Sequence, residues 1–317
     1  MLLQVDDLKT YFFTRRGVLK AVDGVSFGIR RKETLGLVGE SGCGKSTVAL
    51  SIMRLLDPPG RIVGGRVCLR GENLLDKTED EMTHIRGKEI AMIMQDPMTA
   101  LDPVFAIGDQ ATESLISHGK LAKNETIPRA VELLEEVGIP SPADRVRDYP
   151  HHLSGGMRQR IVIAVALSCG PSLLIADEPT TNLDVTIQAQ ILDYMKSLKA
   201  KFETSILFVT HHLGIIAETC DRVAVMYCGD LVECSDTLSL FRDTRHPYTQ
   251  ALLRCLPRRE YRKLPTIEGS IPDLINPSGG CKFHPRCPKA MTRCAREKPP
   301  LTEIEPNIFV ACHLYSQ

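Results

Sequence analysis

"GESGCGKST", Gly39–Thr47, is the stretch that decides the fold. It satisfies the pattern G-x-x-x-x-G-K-[ST] at every constrained position, and each of those positions has a physical task. Gly39, Gly42 and Gly44 permit backbone angles that turn successive N–H groups toward one point, a nest for an anion. The helix-compatible run "STVALSIMRLL" follows at once, so the positive end of a helix faces the same point. Lys45 is long enough to reach β- and γ-phosphates, and the Ser46 hydroxyl suits Mg2+. The apolar run "TLGLVG" precedes the loop, completing the order strand, loop, helix. A chance glycine-rich turn would not account for both flanks.

Further along, "LLIADEP" is an apolar strand that ends in Asp177 and Glu178. Open α/β sheets place their ligands at that end of a strand. Asp177 suits Mg2+, and Glu178 is placed to polarise an attacking water. Two acids after a strand are otherwise an ordinary solvated turn; the phosphate loop gives the pair its meaning. Between and around these landmarks the pattern alternates. Short β-like runs fill residues 2–38, and further strands are predicted over 62–70, 90–95, 172–177 and 205–210. Residues 98–170 read as mainly helical, with "AVELLEEVG" (130–138) amphipathic, and "TIQAQILDYMKSLKAKF" reads as a helix. Residues 223–234 read as a hairpin turning at Gly229-Asp230. Strands alternating with helices predict an α/β fold with a mostly parallel core sheet.

The 317 residues allow one large domain with an appendage or two medium ones, and 43% hydrophobic residues can bury a substantial core. Lys+Arg and Asp+Glu both number 39, so the chain lacks the basic excess that usually accompanies nucleic-acid binding, and no nucleic-acid partner is expected. No run approaches the roughly 20 apolar residues of a membrane span. The N-terminus lacks the basic start of a signal peptide, so a cytosolic chain reaching any membrane through partners is expected.

Four more elements fall in a telling order. "LSGGM", Leu153 to Met157, resembles the LSGGQ signature of ATP-binding-cassette (ABC) ATPases; Gln95 resembles their Q-loop, "TNLD" (181–184) with Asp184 their D-loop, and His211 their switch histidine. Within that family "QDPMTALDP", "YPHHLSGGMRQR", "ADEPTTNLDVTIQAQI" and "RHPYTQALL" resemble the dipeptide/oligopeptide-importer branch. His212 stands where Asp is common, Asp102 where Asn is common, and Met157 where Gln is common. The resemblance implies an ABC-type P-loop ATPase over residues 1–256. It would have an N-terminal antiparallel β subdomain, a helical subdomain at about 98–160 and a C-terminal extension over 257–317.

The resemblance also implies site residues. ATP would be bound by Gly39, Ser41, Gly42, Cys43, Gly44, Lys45, Ser46, Thr47 and Asp177, with Phe12 stacking on adenine and Tyr11 as its alternative. Mg2+ would be held through Ser46, Gln95 and Asp177. Glu178 would be the general base, assisted by His211 and Gln95. Leu153, Ser154, Gly155, Gly156 and Met157 would meet a partner's ATP. The implied partners are a related ATPase subunit in a heterodimer, two transmembrane permease subunits and an extracytoplasmic peptide-binding protein, at the cytoplasmic face of the inner or plasma membrane. The reading from another class is a soluble ABC ATPase acting on ribosomes or nucleic acid.

After about residue 256 prolines break any long element, at Pro257, Pro265, Pro272, Pro277, Pro285, Pro288, Pro299, Pro300 and Pro306. Of the 11 cysteines, four cluster here as Cys281-x5-Cys287-x6-Cys294-x17-Cys312. Unconnected thiols are one reading. Zinc is another, without the usual tight C-x₂₋₄-C knuckle. A [4Fe–4S] cluster, which takes four thiolates at varied spacing, is the third. The block "GGCKFHPRCPKA" resembles the C-terminal extension of peptide-importer ATPases, and that resemblance implies the cluster, with His284 and His313 as less apt ligands. A tail too small for its own core is then expected to be held together by metal.

Overall fold

The computed structural model describes residues 1–96, 100–181, 183–256, 265–275, 277 and 279–315. Met98, at the expected start of the helical segment, Asn182 of "TNLD" and Pro257, at the expected start of the extension, lie outside the described residues. In chain order the strands are β1 (Leu3–Thr14), β2 (Gly17–Ile29), β3 (Thr34–Val38), β4 (Gly60–Leu69), β5 (Glu72–Asn73) and β6 (Ile90–Ile93). They continue with β7 (Leu173–Asp177), β8 (Ser205–Thr210), β9 (Arg222–Tyr227), β10 (Asp230–Asp236), β11 (Thr302–Glu305) and β12 (Ile308–Val310). The chain divides into two compact units, residues 1–76 with 208–317, and residues 77–207.

In the first unit, β1, β2, β4 and β5 make an antiparallel sheet in the order β2-β1-β4-β5. Leu3, Val5 and Leu8 of β1 and Val22, Val25, Phe27 and Ile29 of β2 are buried, the one-sided pattern of a sheet with a single covered face. By contrast β3 is buried at all five positions. That is the signature of a core strand, and it runs parallel to β9 from Leu35↔Arg222 to Val38↔Val225. β9 and β10 form the expected hairpin, but the turn sits one residue earlier than the sequence implied. Asp230 pairs with Tyr227, and the two turn residues are Cys228 (φ 49) and Gly229 (φ 82). Two consecutive positive φ values are what a tight hairpin matching strand twist requires, and Cys228 supplies one of them without being glycine.

The second unit pairs β6 with β7 in parallel, Ile90↔Leu173 to Ile93↔Ala176. β7 is also buried throughout. Helices Ile107–Ser117, Thr126–Glu136 and Gly155–Leu167 pack on one another, with Ala111, Leu115, Leu133 and Cys169 forming a shared apolar cluster. Helix Val185–Phe202 follows β7, and β8 carries the chain back to the first unit. No helix among the described residues is long and apolar enough to cross a membrane.

The C-terminal segment belongs to the first unit rather than standing apart. β12 adds to β10 (Glu233↔Val310) and β11 to β12, two strands that the proline-rich sequence did not announce. Phe283, 1% exposed, packs on Tyr227, Tyr248 and His246 with ring centroids 5.2, 5.4 and 6.0 Å away. Lys282 is buried too, donating to Cys228 O at 2.9 Å and pairing with Asp230 at 3.0 Å. The tail therefore borrows a core from its neighbours. Burying one such aromatic supplies about 2 kcal/mol or more, which metal ligation need not provide.

His246 makes this packing sensitive to pH. Its Nδ1 accepts from the Tyr248 N–H at 3.0 Å, capping helix Pro247–Arg254. Burial pushes its pKa down to about 3. The unfolded chain takes up a proton near pH 6.5 and the folded chain does not, so stability falls as pH drops from about 6.5 toward 3. His246→Asn, which can keep the cap, is expected to remove about 2 kcal/mol of the stability lost between pH 7 and pH 5. Denaturant titrations of both chains at the two pH values check it.

Candidate functional site

The phosphate loop joins β3 to helix Lys45–Met53 in the first unit. Gly44, at the helix N-cap, has φ 104, and a Cβ there would lie 2.2 Å from Ala21 O. Both the backbone angle and the close approach exclude a side chain. A Cβ on Gly39 would lie 2.2 Å from Met226 O, while one on Gly42 would meet open space. Lys45 is 5% exposed, its ammonium donating to Gly39 O at 2.9 Å and Glu40 O at 3.1 Å. Loop carbonyls thus hold the cation at the centre of the nest. Cys43 is buried beneath the loop, and burial raises its thiol pKa. Ser41 is exposed; Ser46 and Thr47 fall in the first turn of the helix.

Glu40 has a separate partner for each of its polar groups. Its N–H donates to the Tyr248 hydroxyl at 3.0 Å and its carbonyl accepts from Lys45. Its carboxylate takes a bidentate pair from Arg286 at 2.9 and 3.2 Å. Arg286 is almost fully buried and spends its other donors on Tyr227 Oη, Ile267 O and Glu268 O. Burial opposes its charge, but the hydrogen bonds to Glu40 and Tyr227 outweigh that and hold its pKa above the ordinary arginine value. Neither Glu40 nor Arg286 stood out in the sequence. They lie 246 residues apart, and neither is a constrained motif position.

Phe12 is half-buried on β1, its ring against Gly60, where a Cβ would come within 2.8 Å of it. Tyr11 gives its hydroxyl to Asp23 at 2.7 Å. His211 follows β8, exposed, with its ring centroid 4.3 Å from that of His212. His212 donates its backbone N–H to Thr210 Oγ1.

The second unit carries the acids. Asp177, 4% exposed, ends the buried strand β7. Glu178 follows in a left-handed conformation, φ 48, which costs a non-glycine residue on the order of 1 kcal/mol and re-aims its side chain off the strand. Its Oε2 accepts from Gln95 Nε2 at 3.2 Å and from Thr181 Oγ1 at 2.9 Å. Gln95 and Glu178, singled out separately in the sequence, are thus brought together. Thr181 is an addition within "TNLD".

Leu153 is buried, Ser154 and Gly155 are exposed, and Gly156 and Met157 are half-buried. Ser154 caps helix Gly155–Leu167, its hydroxyl accepting from Met157 N–H at 3.4 Å. A Cβ on Gly155 would meet nothing, whereas one on Gly156 would lie 2.8 Å from Ile187 Cγ2. Asp184 caps the helix that carries Ile187, accepting from Thr186 and Ile187 N–H at 3.1 and 3.0 Å.

The tail cysteines sit on a series of turns. Gly280 has no room for a side chain, because a Cβ would lie 2.2 Å from Cys294 O, and the Cys281 N–H donates to that same carbonyl at 2.8 Å. Burial raises the thiol pKa of Cys281 to about 11, and Cys294, Cys312 and Cys287 each push it the same way. Cys287 and Cys312 are likewise raised, by burial first and then by their cysteine neighbours. Yet among the described residues no group of three or more His, Cys, Asp or Glu is gathered closely enough to hold one metal ion. Cys281, Cys287 and Cys312 each lie within reach of another tail thiol's charge, but the described residues are not gathered around one metal ion.

A nest built on a lysine-bearing loop and a buried strand ending in paired acids define a P-loop nucleotide-binding protein. Comparison with known proteins narrows the class. The ABC transporter family pattern matches residues 22–181, and the pattern for the oligopeptide/dipeptide transporter C-terminal region matches 232–294. The chain is 51% identical to the oligopeptide transport ATP-binding protein AppD of Bacillus subtilis (strain 168), covering 100% of this chain and 97% of that protein. It is 44% identical to the dipeptide transport ATP-binding protein DppD of Escherichia coli (strain K12), covering 98% and 96%. Among solved structures, the dimeric post-hydrolysis state of the ATP-binding cassette MJ0796 with ADP and Pi gives a TM-score of 0.66. The identity there is 25%, over 74% of this chain and 98% of that one. The chain belongs to the ABC transporter family. It is an ABC-type ATP hydrolase.

Proposed function

We propose that this chain is the ATP-hydrolysing subunit that drives a membrane peptide importer. One observation carries the reading: similarity to oligopeptide and dipeptide transport ATPases runs the whole length of the chain, including the C-terminal match at 232–294. A soluble ABC ATPase acting on ribosomes or nucleic acid would leave that C-terminal match without a reason. Residues up to 256 would form the nucleotide-binding domain, with about 98–160 as its helical part and 257–317 as the extension.

In this reading Lys45 and the N–H groups of the phosphate loop bind the ATP phosphates, and Phe12 stacks on the adenine. Ser46, Gln95 and Asp177 are hard oxygen donors suited to Mg2+, which when bound spreads the phosphate charge. Glu178 takes the proton of the attacking water; its contacts to Gln95 and Thr181 aim the carboxylate, and His211 steadies the γ-phosphate. The exposed Ser154 and Gly155 at a helix N-terminus are open to a second ATPase subunit's nucleotide. That second subunit is a related chain, and the pair acts on two permease subunits supplied by an extracytoplasmic peptide-binding protein. The assembly places this chain at the cytoplasmic face of the membrane.

The extension is proposed to hold a [4Fe–4S] cluster on Cys281, Cys287, Cys294 and Cys312. Thiols around one zinc would lie about 3.8 Å apart, given Zn–S bonds of about 2.3 Å. A four-iron cluster offers each thiolate its own iron corner and so suits a wider set. When bound on these four cysteines, the cluster would supply a covalent staple to the turns.

Two results are expected. Glu178→Gln in the assembled complex should bind ATP but hydrolyse it roughly 100-fold or more slowly, read as phosphate release beside nucleotide binding. Near-normal turnover would remove Glu178 as the base. Anaerobically purified chain should carry about four irons and four acid-labile sulfides, both lost in Cys287→Ser. About one zinc and no sulfide would make the tail a zinc module.

A further inference from the structure

The acid at position 40 sits where a phosphate-binding loop least suits it. Glu40 is the residue after Gly39, inside a nest meant for an anion, and a free carboxylate there would repel the ligand. The structure meets that carboxylate with a cation brought from outside the loop. The Arg286 fork meets both carboxylate oxygens, while Tyr248 and Lys45 fix the N–H and carbonyl of the same residue. The Glu40 side chain keeps 24% of its exposure; that of Arg286 keeps 4%.

Arg286 is itself delivered by a packed segment. It lies one residue before Cys287, in the short turn His284–Arg286, and three residues after Phe283, whose ring is seated on Tyr227 and Tyr248. Tyr227 and Tyr248 are 4.5 Å apart, and both hydroxyls enter the network, one on Arg286 and one on Glu40. Every residue named belongs to the first compact unit.

We propose that Arg286 of the C-terminal extension is a positioning residue for ATP, neutralising Glu40 and holding its carboxylate away from the phosphates. The inference rests on the ATPase reading and adds a contribution of the extension to it. Arg286 acts through Glu40 and touches no reacting atom. It therefore governs how tightly ATP is held rather than the rate at which bound ATP is cleaved.

The test measures equilibrium MgATP binding by the full chain and, in the assembled complex, half-saturating ATP against kcat, with a melting curve for each variant. Arg286→Gln should weaken ATP binding roughly 10-fold and raise half-saturation in step, with kcat changed by less than about twofold. Adding Glu40→Gln to that variant should return affinity to within about threefold of the parent, because the repelling charge is gone. Arg286→Lys, which keeps the charge, should also stay within about threefold. A purely architectural Arg286 predicts the opposite, since removing its partner cannot restore lost packing. Unchanged affinity in Arg286→Gln, a double variant no better than the single, or a lysine variant as weak as the glutamine one would each overturn the proposal while the parent still binds ATP. A parent chain that binds no ATP would overturn the ATPase reading and this inference together.

Discussion

The corner between β3 and helix Lys45–Met53 leaves no room on either flank. Backbone carbonyls of Ala21 and Met226 stand 2.2 Å from where a Cβ on Gly44 or Gly39 would lie. That constraint limits the loop's path, along which the Lys45 ammonium donates to the Gly39 and Glu40 carbonyls. The strands β3 and β7 are buried at every position, the pattern of strands covered on both faces; the phosphate loop follows the first, and Asp177 ends the second.

Charge in this molecule is managed by partners rather than by dilution in solvent. Glu178 is held in a costly backbone conformation with two donors on one oxygen. Glu40 is covered by a nearly buried arginine, and Lys282 lies between Asp23 and Asp230. Burying a charge is costly unless it is paired, so such pairs mark where position matters more than net stability. The Glu40 and Lys282 pairs bring the C-terminal segment against the rest of the first unit. The tail is thereby part of the site's surroundings as well as a holder of cysteines.

The phosphate-loop corner, the strand ending at Asp177 and the helix that begins in "LSGGM" were legible in the sequence because each is a local pattern of residues. The hairpin β9–β10 was legible too, but its turn was misplaced by one residue, since Cys228 adopts the positive φ that glycine-based reasoning assigns elsewhere. β11 and β12 were not legible. Seven residues in two short runs among prolines have no period to detect, and they exist because β10 offers them an edge. The Arg286–Glu40 pair was equally hidden, because only the fold joins positions so far apart. Phe283 was hidden as well, an isolated aromatic whose core lies more than thirty residues upstream in Tyr248 and Tyr227.

ATP hydrolysis by this chain does work on peptides across a membrane. The direct measurement is uptake of a labelled di- or oligopeptide into vesicles carrying the permeases, this chain and its partner ATPase, with the peptide-binding protein outside and MgATP enclosed. The expected result is accumulation that needs enclosed ATP and is lost with Lys45→Ala. Uptake that proceeds equally without ATP or with Lys45→Ala, or ATP hydrolysis that never moves peptide, would contradict it.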